Sequence, residues 1–227
     1  QFKKKKMNQP QQQFNTDQQY NQPQHQVFTH IPIQNREFQP QIQGKRKRPN
    51  LLITGSPGTG KSTLVENLKQ RFSDFRDYNI SKISLDNKMV DGYDDERTTS
   101  IIDEDAICDY LESQGLGSFT DKDGGIIVDY HSSDFFAERY FDIVIVLRCN
   151  VKELNKRLKE REYQKSKIME NVDCEIFGLA FTEANTSYPQ AIVLQYNNSE
   201  LSDLMDIGDH IEAMIKEWPN PPPPFQP

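Results

Sequence analysis

One stretch constrains this chain more than any other. Gly55-Ser56-Pro57-Gly58-Thr59-Gly60-Lys61-Ser62 fits the pattern G-x-x-x-x-G-K-[S/T]. The apolar run Leu51-Leu52-Ile53-Thr54 precedes it and reads as a buried strand. Ser62 to Phe72 follows, with Leu64, Val65, Leu68 and Phe72 at helical spacing. A glycine-rich turn between such a strand and such a helix can bring backbone N–H groups onto an anion. The helix adds the positive end of its dipole. Gly58 and Gly60 allow the tight turn, Lys61 can reach β and γ phosphate oxygens, and the Ser62 hydroxyl can ligate Mg²⁺. The pattern therefore implies ATP and Mg²⁺, and transfer of the γ-phosphoryl group to a nucleotide or to water.

The rest of the core alternates continuous apolar strands with amphipathic helices. Ile80 to Leu85 reads as a second strand, and Asp103 as the N-cap of a helix through Leu111. Ile126-Ile127-Val128-Asp129 and Asp142 to Leu147 read as buried strands. Val151 to Glu160 is an amphipathic helix, Ile168 to Thr186 one long helix, Ala191 to Gln195 the last strand and Leu201 to Trp218 the last helix. This alternation implies an α/β fold with a parallel sheet covered on both faces.

A phosphate loop of this kind needs an acid for the magnesium shell at the end of a neighbouring strand. Asp129 fits, and His131 lies two residues further on. Phosphoryl transfer also needs cations around the transferring oxygens. Arg157 and Arg161 share a helix face at i, i+4, Arg148 ends a strand, and Arg139 lies in a loop before it. Taken singly, each of these arginines reads as an ordinary surface residue.

Composition sets the limits of the folded part. Gln1 to about Gln43 is rich in Gln, Asn and Pro and poor in Leu, Ile and Val, so it cannot bury enough apolar surface to offset its ordering entropy. Residues 1–48 are expected to be a disordered extension, 49–218 the folded domain, and 219–227 a proline-rich extended tail. Residues 1–49 hold nine basic and two acidic side chains, a charge of +7; the whole chain carries −7, which leaves −14 for the remainder. So acidic a core argues against a broad nucleic-acid surface, and it suits a basic protein partner or, equally, a well-solvated surface. Cys108, Cys149 and Cys174 are scattered, which argues against a disulfide framework or a zinc site. No run is long and apolar enough to span a bilayer, and no signal peptide is read.

In order, the chain carries GSPGTGKST, Asp91-Gly92-Tyr93-Asp94-Asp95-Glu96, Ile102-Asp103-Glu104-Asp105, Ile127-Val128-Asp129-Tyr130-His131, Asp134-Phe135-Phe136, Glu138-Arg139 and Cys174-Glu175-Ile176-Phe177. Together these segments resemble the adenylate kinase isoenzyme 6 family, also called coilin-interacting nuclear ATPases. The resemblance runs from Pro49 to about Trp218. It implies a nucleoside monophosphate (NMP) kinase fold: a five-stranded parallel sheet flanked by helices, an NMP-binding insert over roughly Ser81 to Ile101, and a short lid over roughly Glu160 to Glu170. By matching positions, Gly58, Gly60, Lys61, Ser62 and Thr63 would bind ATP phosphates. Asp129 and His131 would be the acid and histidine of the DYH segment, and Arg161 the lid-side arginine that contacts ATP. Arg139 is a further candidate for the acceptor phosphate.

The resemblance also implies adenylate kinase and ATPase activity, AMP or another NMP as acceptor, and a role in small ribosomal subunit maturation. It further implies a basic small-subunit ribosomal protein as partner, association with the pre-ribosome, and residence in nucleus and cytoplasm. A monomer is expected. The sequence departs from the family at one place: Ser81 to Val90 holds no arginine, where the family places one shortly before DGYD. Lys82 or Lys88 would have to supply that charge, without the bidentate fork of a guanidinium. The cluster Lys45-Arg46-Lys47-Arg48 is readable as a nuclear localisation signal or as a basic linker.

Overall fold

The computed structural model describes residues 46–95, 99–117 and 123–219. Its centre is a parallel sheet of five strands in the order β2-β5-β1-β6-β7. These strands are β1 (Leu51–Thr54), β2 (Arg76–Asn79), β5 (Ile126–Asp129), β6 (Ile143–Arg148) and β7 (Ile192–Asn197). The interior strands are nearly continuous apolar runs because both faces are covered. Strand alternation divides the core in two. Leu51 and Ile53 face α1 (Lys61–Arg71) and α7 (Leu201–Lys216), which contribute Leu64, Leu68, Ile207 and Ile211. Leu52, Val128 and Val146 face the other way, onto α3 (Glu104–Ser113) with Ile107 and Leu111, and onto α6 (Leu179–Ser187) with Ala184. Full burial of one such aliphatic side chain is worth about 1.5–3 kcal/mol.

Two expected elements turn out differently. Ile80–Asp86 is a helix, α2, and the second strand is the polar Arg76–Asn79 just before it. Asn79 ends that strand and caps the helix, its side chain accepting from the Lys82 N–H at 2.9 Å. Within α2 only Ile80 and Ser84 are buried, and Leu85 faces out, which is a helical pattern. β2 pairs only with β5 and lies at the sheet edge, so it needs no apolar run. The long helix expected from Ile168 to Thr186 is two helices, α5 (Lys165–Phe177) and α6. Gly178 separates them at φ 65°, a left-handed conformation that favours glycine.

The insert expected over Ser81 to Ile101 consists of α2 and an antiparallel hairpin, β3 (Val90–Asp94) with β4 (Thr99–Ile102); residues 96–98, including Glu96, lie outside the described residues. The lid expected over Glu160 to Glu170 is the turn between α4 (Val151–Glu160) and α5, with the first turn of α5. The glutamine-rich segment, with Lys3 to Lys6 and Lys45, and the tail from Asn220 also lie outside the described residues.

Arg46 to Arg48, assigned from sequence to the extension, are tied to the domain. The Arg46 guanidinium is 12% exposed and pairs with Asp142, itself 8% exposed, at 2.9 Å. Trp218 Nε1 donates to the Arg46 carbonyl at 3.0 Å. Lys47 pairs with Asp123 at 2.8 Å, and Arg48 pairs with Asp74. Replacing Arg46 by Ala removes the cation beside the buried Asp142 carboxylate, which keeps the Asn50 N–H at 2.8 Å. The expected loss is about 3 kcal/mol, or roughly 6–12 °C in Tm for a domain of this size. Thermal unfolding of R46A checks it, and a chain begun at Pro49 should show at least the same loss.

Candidate active site

The glycine-rich loop sits at the end of β1, in the middle of the sheet. Gly60 is the N-cap of α1 at φ 100°, and a Cβ there would lie 2.2 Å from Asn198 Nδ2, so no larger residue fits. α1 has neither a side-chain cap nor an acidic residue in its first turn, so its first N–H groups remain for an anion. Three distant segments hold the loop's shape. Asn198 Nδ2 donates to the Thr59 carbonyl at 2.7 Å. Arg157 donates to the carbonyls of Gly58 at 3.3 Å, Asn198 at 3.0 Å and Ser199 at 2.7 Å. The Ser56 hydroxyl donates to Glu175 at 2.7 Å.

Parallel pairing of β1 with β5 sets Ile53 opposite Asp129, which delivers the strand-end acid to the loop. Asp129 is 5% exposed, and one of its oxygens accepts from Ser62 Oγ at 2.8 Å and from Asn79 Nδ2 at 2.9 Å. A hydroxyl and a carboxylate in contact are hard oxygen donors suited to Mg²⁺, with substrate phosphates and water completing the shell. No cluster of three or more His, Cys, Asp or Glu side chains is present among the described residues.

Lys61 Nζ donates to the carbonyls of Gly55 at 2.9 Å and Ser56 at 3.2 Å. Burial lowers its pKa to about 8; the Asp129 charge opposes that shift and Arg161 adds to it. His131 opens onto the same space, its ring 4.2 Å from that of Tyr130. Desolvation by the surrounding protein, then the charges of Lys61 and Lys167, push it down to about 4, so it is neutral near pH 7. Gly58, Gly60, Lys61, Ser62, Thr63, Asp129, His131 and Arg161 all line one cavity of about 390 Å³. The glycine-rich loop, the strand-end acid, the histidine and the lid-side arginine read from the sequence are thus brought together there.

A family model described as an AAA domain matches residues 51–178. The protein named adenylate kinase isoenzyme 6 homolog in Caenorhabditis elegans is 40% identical over 175 residues, 77% of this chain and 93% of its own length. Adenylate kinase isoenzyme 6 homolog FAP7 of Saccharomyces cerevisiae is also 40% identical, over 78% of this chain and 87% of its own. The chain belongs to the adenylate kinase isoenzyme 6 family. A solved shikimate kinase from Acinetobacter baumannii, in complex with shikimate, matches at TM-score 0.49 and 16% identity, over 74% of this chain and 93% of its own.

As a member of this nucleotide kinase family, the chain also shows what its sequence did not reveal. Asn79, Ser81, Thr99, Tyr163, Lys167 and Asn171 line the cavity as well. Lys167 stands over the Tyr163 ring, 5.3 Å from its centroid. Nothing local marks these residues, which reach the site through helix spacing or across the sheet. Three candidate arginines do not line the cavity. Arg139, a candidate for the acceptor phosphate, instead pairs with Glu112 and donates to the Gly117 carbonyl. Arg157 braces the loop, and Arg148 pairs with Glu175 at 2.5 Å.

The depressed Lys61 pKa gives phosphate binding at this loop a pH signature. Bound phosphates favour the ammonium, so above about pH 8 binding must also take up a proton. Affinity for an ATP analogue should be flat near pH 7 and weaken toward about tenfold per pH unit well above the Lys61 pKa. His131 stays neutral throughout and adds nothing to this slope. Titration calorimetry in two buffers of different ionisation enthalpy checks it through the proton uptake.

Proposed function

We propose that the chain transfers the γ-phosphoryl group of Mg·ATP to AMP, giving two ADP, and hydrolyses ATP when no acceptor is in place. The observation that supports this best is the convergence of Lys61, Ser62, Asp129, His131 and Arg161 on one cavity. The names of the relatives supply AMP as the acceptor to test first. In this reading the loop N–H groups and Lys61 hold the β and γ phosphates. Ser62 and Asp129 would hold Mg²⁺, which would offset the phosphate charge. Arg161 and Lys167, on either side of the turn between α4 and α5, supply positive charge around the transferring oxygens. Neutral His131 is a hydrogen-bonding group for the acceptor or for a water. Closure of the lid turn and insert over both substrates excludes water and favours transfer over hydrolysis. The proposal extends to small ribosomal subunit maturation in nucleus and cytoplasm, at the pre-ribosome, with a basic ribosomal protein as partner. The −14 charge outside residues 1–49 supports a basic partner.

A second reading is an assembly factor switched by ATP hydrolysis, with little kinase activity. The arginine-free Ser81 to Val90 favours it, since Lys82 and Lys88 are exposed and line no part of the cavity. The readings separate on whether AMP accelerates ADP formation from Mg·ATP without release of free phosphate.

A further inference from the structure

Glu175 is an acid that the phosphoryl-transfer scheme does not use, yet it is 2% exposed and meets the phosphate loop. Its carboxylate receives three donors. Ser56 Oγ of the loop lies at 2.7 Å, Arg148 Nε at the end of β6 at 2.5 Å, and the Cys149 N–H at 3.0 Å. The Glu175 carbonyl accepts from the other arm of Arg148. That guanidinium therefore also stands at the C-terminal end of α5, where a cation suits the helix dipole. An ion pair this deep adds little stability over an apolar pair of the same volume, because both charges must be desolvated. It does fix geometry, and what it fixes here is the loop.

The position of Glu175 on its helix gives the contact a second consequence. Lys167, Asn171 and Glu175 are spaced i, i+4, i+8 along α5, and so share one face. The first two line the cavity and the third holds Ser56. Asn171 Nδ2 donates to the Lys167 carbonyl at 2.7 Å and keeps that face in order. We propose that Glu175 is a positioning residue for nucleotide binding: through Ser56 it sets the phosphate loop in register with the cavity wall on α5. The Glu175 charge also opposes, modestly, the lowering of the Lys61 pKa.

This inference rests on the loop being a nucleotide site, and the test separates the two. The full chain and its variants S56A, S56T and E175Q are titrated with a fluorescent ATP analogue and Mg²⁺, and KM is measured for ATP and for AMP. S56A should weaken ATP binding about tenfold, the order expected for one hydrogen bond to a charged group. KM for AMP should stay as in the parent, and S56T, which keeps the hydroxyl, should restore ATP binding. E175Q, which also disturbs the Arg148 and Cys149 contacts, should weaken ATP binding at least as much, and adding S56A to it should cost less than S56A costs the parent, since the two share the Ser56 contact. Unchanged binding by folded S56A, equal loss in S56A and S56T, or additive losses in the double variant overturns the role of Glu175 alone. A parent chain that fails to bind Mg·ATP overturns the nucleotide reading itself.

Discussion

Replacing Lys61 by Ala lowers kcat/KM for ATP by about a thousand-fold or more and leaves the fold intact. The magnitude follows from what the ammonium faces. Removing one preorganised donor from a developing oxyanion costs about 10²–10³ in rate, and Lys61 adds a full charge at the β and γ oxygens. Hydrolysis and transfer should fall together, because both pass through the same charged phosphoryl group. Stability should hardly fall. Lys61 donates to the Gly55 and Ser56 carbonyls, the second of which also accepts from Thr59 Oγ1 at 2.9 Å, and the lost ammonium was itself penalised by burial. Steady-state assays with a parallel melting curve check both halves. Parent turnover by K61A would remove the loop from the mechanism.

The substitution Asp129→Asn should have the next largest effect, and it acts twice. The amide keeps the shape of the side chain but not the charge that would meet magnesium beside Ser62. Loss of such a group weakens metal affinity by about 10–100-fold, so the Mg²⁺ concentration for half-maximal activity should rise by that factor. The second effect passes through Lys61. Asp129 is the main charge that keeps the Lys61 pKa from falling further, so in D129N the amine is largely neutral at pH 8. Part of the lost activity should therefore return with excess Mg²⁺, and more of it at pH 7 than at pH 8. A magnesium titration at the two pH values checks this. Loss of equal size at every Mg²⁺ concentration would show that Asp129 acts on the fold and not on the metal.

Local chemistry made much of this molecule legible. The loop, its flanking strand and helix, the Asp103 cap and the acid at the end of Ile126–Asp129 are each signalled by a few adjacent residues. Asp103 does accept from the Ala106 N–H, at 2.9 Å. The misread elements are those that local signals do not govern. Arg76–Asn79 is polar because an edge strand with one neighbour can be, and its apolar successor was taken for the strand. Gly178 breaks a helix by its own left-handed backbone, while the apolar pattern runs on across it. Arg139 has the right charge but spends it on Glu112 and Gly117. Asn79 and Asn198 carry no such signal, while Lys167 and Glu175 fall in the expected lid and in the Cys174-Glu175-Ile176-Phe177 segment with no role read for either. Crossover connections bring them to the loop from far along the chain, and no spacing rule spans such distances.

In the proposed reaction this cavity passes a phosphoryl group from ATP to a nucleotide acceptor. A coupled assay of the full chain with Mg·ATP, with and without AMP, following ADP and free phosphate separately, tests that transfer. Two ADP per AMP consumed, formed well above the rate of phosphate release, is the expected result. Phosphate released at the same rate whether or not AMP is present, with no AMP consumed, would contradict it and leave the ATP-driven switch in its place.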